Sequence, residues 1–128
     1  MNRPVHFEIH ATDPAKLSKF YADVFGWQIT HMPAFDYYLI NTGDADGPGI
    51  NGGFVKRMGA HAAAGAPVNA FVCSLGVKSV DEAVAKATAA GAAIALPKMA
   101  IPGVGWQAYI RGPDENIVGL HQADASAR

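Results

Sequence analysis

The stretch Val5 to His10 alternates apolar and polar residues with a period of two. That pattern predicts a strand with two unlike faces, Val5, Phe7 and Ile9 on one and His6, Glu8 and His10 on the other. Asp13-Pro14 follows, with the chemistry of a helix start: a carboxylate to cap the free N–H groups and a proline suited to the first turn. Leu17, Phe20, Tyr21, Val24 and Phe25 then fall at i, i+3, i+4, i+7 and i+8, a single apolar stripe, and Gly26 is the expected stop. Three strands are predicted next, Trp27 to Met32, Phe35 to Asn41 and Ile50 to Arg57, the last two separated by the turn-rich run Thr42 to Gly49.

After an Ala- and Gly-rich connection, Met58 to Pro67, the plan repeats. Asn69 to Val77 reads as a strand. Ser79-Val80-Asp81-Glu82 is a capping box, Val80, Ala83, Val84 and Ala87 form a helical stripe, and Gly91 ends it. A short strand, Ala92 to Leu96, precedes a loop from Pro97 to Gly105 that holds two prolines and two glycines. Trp106 to Arg111 and Ile117 to Gln122 complete the set around the turn Gly112 to Asn116, and Ala123 to Arg128 reads as a frayed tail. The order strand-helix-strand-strand-strand thus occurs twice, and neither copy is large enough to bury its own sheet. The expectation is one α+β domain over residues 1–128, with module one about 4–58, a linker about 59–67 and module two about 68–122. Helices cover one face of each sheet, and the other faces line a shared, cup-shaped concavity.

Composition narrows the partners. Half of the 128 residues are hydrophobic and 16% are charged, which supports a packed core and excludes disorder. The formal net charge is -1 and Lys56-Arg57 is the only adjacent basic pair, so no nucleic-acid or membrane partner is expected. Met1-Asn2-Arg3-Pro4 leads directly into a strand pattern, without a signal segment, and no apolar run is long enough to span a bilayer. Cys73, the sole cysteine, sits in the apolar run Ala70 to Cys73 and reads as a buried strand thiol in a reducing, cytoplasmic compartment. Phe20, Tyr21, Phe25 and Trp27 are expected in the core. No phosphate-cradling glycine loop or hydrolase nucleophile elbow occurs.

The ordered set Phe7-Glu8-Ile9-His10 with Asp13, Lys19 to Trp27, Gly52-Gly53-Phe54, Asp81-Glu82-Ala83 with Gly91-Ala92, Gly103 to Trp106, and Gly112 to Asn116 with Gly119-Leu120 resembles the vicinal oxygen chelate superfamily. That superfamily includes glyoxalase I, bleomycin-resistance proteins and extradiol dioxygenases, and the chain looks closest to its small glyoxalase-like or hydroxylase-like branch. The resemblance implies paired βαβββ modules in a cup, commonly a homodimer, and in the enzymes a divalent metal that chelates neighbouring substrate oxygens. It also implies where the metal ligands would fall: His6, then Gly52 or Gly53, then a position near Val72, then Gly119. Only His6 carries a donor atom. One imidazole does not hold a catalytic divalent ion, so no metal and no other cofactor is expected at that site.

What remains is polar chemistry without the ion. His6 and Glu8 are the candidate catalytic pair, an imidazole and a carboxylate about 7 Å apart along one strand face. His10, Phe54, Trp106, Tyr109 and His121 are candidate ligand-binding residues, with Tyr37 and Tyr38 flanking them. Ile117, Gly119 and His121 are expected on one face, and His6, Glu8 and His121 are expected to converge. Trp106 and Tyr109 do not share a face unless the strand bulges. Three functions compete: binding of a small organic molecule without the usual metal, its reaction unassigned; a metal-dependent lyase or dioxygenase with a site rearranged around His6, Glu8 and His121; and non-catalytic sequestration of the antibiotic-resistance type. In the inert alternative, Glu8 and His10 lie at a sheet rim or dimer interface.

Overall fold

The computed structural model describes residues 3–128; Met1 and Asn2, the start of the expected lead-in, lie outside the described residues. The chain forms two compact units, one running to His61 and one starting at Ala62.

In the first unit the elements are β1 (His6–Ala11), α1 (Pro14–Phe25), β2 (Gln28–Met32), β3 (Tyr37–Asn41) and β4 (Asn51–Lys56). Helix α1 begins where its chemistry predicts: the Asp13 carboxylate accepts from the Lys16 N–H at 3.2 Å, and Pro14 occupies the first turn. Gly26 ends it at φ 73°, in the left-handed region that glycine enters without strain. Leu17, Phe20, Tyr21 and Val24 form its buried stripe. Tyr21 stacks on Trp27 with centroids 4.8 Å apart and packs on Phe54 at 5.7 Å, so the aromatic core lies between helix and sheet. The strands lie in the order β1-β4-β3-β2, with β1 parallel to β4 and the remaining pairs antiparallel. The third strand starts at Tyr37 rather than Phe35. The chain turns sharply at Pro33 to Asp36, with Phe35 N donating to Met32 O at 3.2 Å and Asp36 at φ 49°, which leaves Phe35 exposed.

The second unit holds β5 (Ser74–Gly76), α2 (Val80–Ala89), β6 (Ala93–Ile101), β7 (Gly105–Arg111) and β8 (Ile117–Ala123), in the sheet order β5-β8-β7-β6. Ser79 caps α2, its hydroxyl accepting from Glu82 N at 3.1 Å. Leu120, Ile110, Val80, Ala87 and Ala108 are fully buried between α2 and its sheet.

Four expectations need correction here. The strand expected over Asn69 to Val77 shrinks to Ser74–Gly76. Its ladder is with β8, paired Ser74 to Gly119, and β8 begins at Ile117, so residues before Val72 have no partner strand. Cys73 is accordingly exposed, not buried. The expected loop from Pro97 is instead strand: β6 runs to Ile101, with register shifts between Ile94 and Leu96 and between Leu96 and Met99. A strand at a sheet edge tolerates Pro97, whose missing N–H breaks no ladder on its open side. The tail is tied down as well. Gly103 N donates to Ala127 O at 3.0 Å, Ala127 is fully buried, and the Asp124 carboxylate holds Ser126 and the Trp106 indole N–H.

Both units therefore carry the same β-α-β-β-β order and the same strand arrangement, two four-stranded mixed sheets in an α+β fold. Among the described residues no helix is long and apolar enough to cross a membrane.

Candidate functional site

The strand register decides which residues share a face. In the first unit His6 lies opposite Asn51 and Glu8 opposite Gly53, while Gly53 is opposite Leu39 on the next strand. His6, Glu8, His10, Tyr37, Leu39 and Gly53 thus belong to one face, and Phe7, Ile9, Tyr38, Gly52 and Phe54 to the other, under α1. This selects Gly53, not Gly52, as the residue that shares the face of His6.

On that face Tyr37 ties the two candidate catalytic residues together. Its hydroxyl donates to Glu8 Oε2 at 3.1 Å and lies 2.8 Å from His6 Nε2, with the two rings edge to edge and nearly parallel, centroids 6.4 Å apart at a 20° interplanar angle. The phenol occupies the space a side chain at position 53 would need: a Cβ on Gly53 would collide with the Tyr37 hydroxyl and ring. A side chain at 53 would therefore displace the tyrosine from its place over the strand. Partial burial, followed by the hydrogen bond to Glu8 and that carboxylate's negative charge, pushes the Tyr37 phenol up to about 12. Tyr37 therefore stays protonated across the neutral range and acts as a donor to Glu8.

The second unit repeats this construction with other residues. Ser74 lies opposite Gly119, as Glu8 lies opposite Gly53, and Gly119 is opposite Tyr109 on β7. Gln107, two residues before Tyr109, takes the place that Tyr37 has two residues before Leu39. Its Nε2 donates to Ser74 Oγ at 2.9 Å, and its Oε1 lies 2.9 Å from His121 Nδ1. An amide oxygen only accepts, so His121 donates from Nδ1. A Cβ on Gly119 would collide with Ser74 Oγ and crowd Gln107 Nε2. Gln107 is only 4% exposed, and both ends of its amide are paired, which offsets the cost of burying it.

The predicted site residues therefore divide. His6 and Glu8 are joined through Tyr37, and His10 is on their face, its carbonyl accepting from Arg57 Nη2 at 2.7 Å. Tyr109 and His121 share a face in the second unit with Ile117 and Gly119. Phe54 is not a ligand-facing residue in this structure: it lies on the α1 face, 0% exposed, because it alternates with Gly53 along β4. Trp106 is on the face opposite Tyr109, its indole N–H given to Asp124 at 3.0 Å and its ring under Lys98 Nζ at 4.7 Å. Within the second unit His121 is paired with Gln107. Two contributors escaped the sequence reading, Ser74 and Gln107; Tyr37 appeared only as a flanking residue. A lone amide in the otherwise apolar run Trp106 to Ile110 was the one visible sign.

At the positions that the resemblance assigns to metal ligands, the side chains do not suit a divalent ion. Gly53 and Gly119 have no donor and their space is taken by Tyr37 and by Ser74 with Gln107, Val72 lies outside the sheet, and the His6 Nε2 is engaged by Tyr37. Among the described residues no three His, Cys, Asp or Glu side chains group closely enough to hold one. The face offers hydrogen-bonding chemistry instead: an oriented imidazole, a carboxylate and a phenol. A separate recess of about 350 Å³ lies on the first unit, lined by Thr12, Asp13, Pro14, Asp36, Tyr38 and Lys56, and does not include His6, Glu8 or Tyr37.

Residues 3–43 match the bleomycin resistance protein-like N-terminal family. No curated protein sequence matches the chain. Solved structures match over nearly the whole length. A glyoxalase/bleomycin resistance protein/dioxygenase family enzyme from Burkholderia phytofirmans superposes with a TM-score of 0.67 at 20% identity, covering 93% of this chain and 97% of the other. The genomically encoded fosfomycin resistance protein FosX from Listeria monocytogenes gives 0.71 at 15%, covering 97% and 95%. TioX from Micromonospora gives 0.67 at 22%, covering 96% and 100%. At these identities the likeness is one of fold, that of the glyoxalase/bleomycin resistance proteins.

Proposed function

We propose that this chain uses the superfamily's fold to bind a small organic molecule on the His6–Glu8 face, by hydrogen bonding and without the superfamily's metal ion. The observation that carries this reading is Tyr37 standing in the space at Gly53 while it bridges His6 and Glu8. A catalytic divalent ion needs about three protein ligands and an open position. This face supplies an imidazole already engaged through Nε2 and a carboxylate already accepting a phenol proton. A pair of this kind orients a bound molecule and can exchange a proton with it. On this reading the binding form is a homodimer acting in the cytoplasm, and its mass is read directly by sedimentation equilibrium.

Metal analysis tests the proposal. The full chain, purified without chelator, is expected to carry far less than one equivalent of Mn, Fe, Ni, Cu or Zn, and to bind none stoichiometrically on titration. An ion held one per chain in the wild type and lost in His6→Ala overturns it.

Non-catalytic sequestration is the second reading, favoured by the match of residues 3–43 to a bleomycin resistance protein-like family and by the fold likeness to a fosfomycin resistance protein. It predicts stoichiometric binding of bleomycin or fosfomycin by calorimetry, with the antibiotic recovered unchanged.

A further inference from the structure

The three groups on the first unit's polar face impose an order on their protons. Tyr37 has a single hydroxyl proton and gives it to Glu8 Oε2 at 3.1 Å. Toward His6 Nε2, at 2.8 Å, the phenol oxygen can then only accept, so the imidazole proton is on Nε2. A neutral ring with its proton there carries its lone pair on Nδ1. Glu8 uses Oε2 for the tyrosine and keeps Oε1. Neither His6 Nδ1 nor Glu8 Oε1 has a partner among the described residues. What this arrangement offers to a ligand is two acceptors and no donor.

The surroundings reinforce that bias. Along the four strands of this face Glu8 is the only formal charge, beside neutral residues such as Thr30, Asn41, Asn51 and Val55. Arg57, just past β4, gives Nη2 to the neutral carbonyl of His10 at 2.7 Å and keeps its positive charge, at the His10 end of the face and away from His6. Leu39 is 43% exposed on the same face and supplies apolar surface. A carboxylate-bearing ligand would meet repulsion from Glu8 and two lone pairs that it cannot satisfy, which is costly once water is excluded.

We propose that Tyr37 is a positioning residue that sets this face to read hydrogen-bond donors, so that its ligand is an organic cation, an amine, amidine or guanidine attached to an apolar body. The proposal rests on the reading that the face binds an organic molecule, and adds the class. Tyr37 acts through His6 and Glu8, fixing the ring's tautomer and the carboxylate's free oxygen.

The test uses the full chain, isotopically labelled and freed of metal with chelator. Long-range nitrogen–proton correlation spectra read the tautomer of His6 directly. The wild type is expected to show the Nε2–H form, and Tyr37→Phe, with folding verified by circular dichroism, to lose that preference. Benzamidine is expected to shift the His6 side-chain signals, and its affinity to fall about tenfold or more in Glu8→Gln, the usual effect of neutralising one partner of a charged hydrogen bond. Benzoate is expected to leave those signals in place.

A wild-type His6 protonated on Nδ1 overturns the role of Tyr37, a result that does not depend on any variant folding. Preference for benzoate, or no response to either probe, overturns the ligand class and leaves organic binding as a separate question. Displacement of benzamidine by one equivalent of Zn(II) or Mn(II) at His6 brings down the underlying reading instead.

Discussion

Gly53→Ala is the sharpest perturbation the structure offers, because one methyl group meets the residue that joins His6 to Glu8. The added Cβ collides with the hydroxyl and ring of Tyr37, side-chain atoms, not backbone. Relief therefore requires the ring to move, and with it go the hydrogen bonds to His6 and Glu8. Displacing the end of a half-exposed ring costs about 1–2 kcal/mol, the lower part of the range for overpacking, and two partly exposed hydrogen bonds add about 1 kcal/mol. Against this, replacing glycine by alanine restricts the unfolded chain and returns about 0.5 kcal/mol. The net expectation is a loss of about 2 kcal/mol, a drop of about 1 M in the urea midpoint for a typical slope. In a Tyr37→Ala background the obstacle is gone, and Gly53→Ala becomes neutral or slightly stabilising. The double-mutant cycle should then show a coupling of about 2 kcal/mol between positions 37 and 53. Additive effects, with the two changes costing the same together as separately, would refute the packing of Tyr37 over Gly53 and the bridge with it.

Two further predictions concern titration and the chain end. Tyr37 should titrate late: an absorbance titration at alkaline pH is expected to hold a component near 12 that shrinks by one tyrosine in Tyr37→Phe. Because its folded value is raised above the ordinary 10.0, the stability it contributes is present below pH 10 and declines as pH rises from there toward 12. Asp124 behaves oppositely. The Ser126 hydroxyl, the Trp106 indole N–H and the Ser126 backbone N–H, in that order, hold its carboxyl below the ordinary 3.8. Its contribution is present above 3.8 and is lost as pH falls through its lowered folded value, so acid should release the tail and shift Trp106 fluorescence. Asp124→Ala should show the released spectrum already at neutral pH, with faster amide exchange at Gly103, whose N–H is held by Ala127. Unchanged Trp106 emission in that variant would count against the anchor.

The sequence by itself determined the elements whose signals are local. Asp13-Pro14, the apolar stripe to Phe25 and Gly26 specify α1 without help from the rest of the chain, and Ser79 with Glu82 does the same for the start of α2. The twofold β-α-β-β-β order followed from these and from turn residues, and so did the alternation that sets His6, Glu8 and His10 apart from Phe7 and Ile9. Tertiary structure decided what depends on a neighbouring strand. Whether Phe54 or Gly53 shares the face of His6 is fixed by register, and a one-residue uncertainty in register exchanges the faces. The short length of β5, the passage of β6 through Pro97 and the burial of Ala127 each turn on which strand edge lies alongside. Tyr37 and Gln107 belong to the same class. The missing side chains at Gly53 and Gly119 were visible in the sequence, but what fills them comes from a strand next door, and no local pattern encodes that contact.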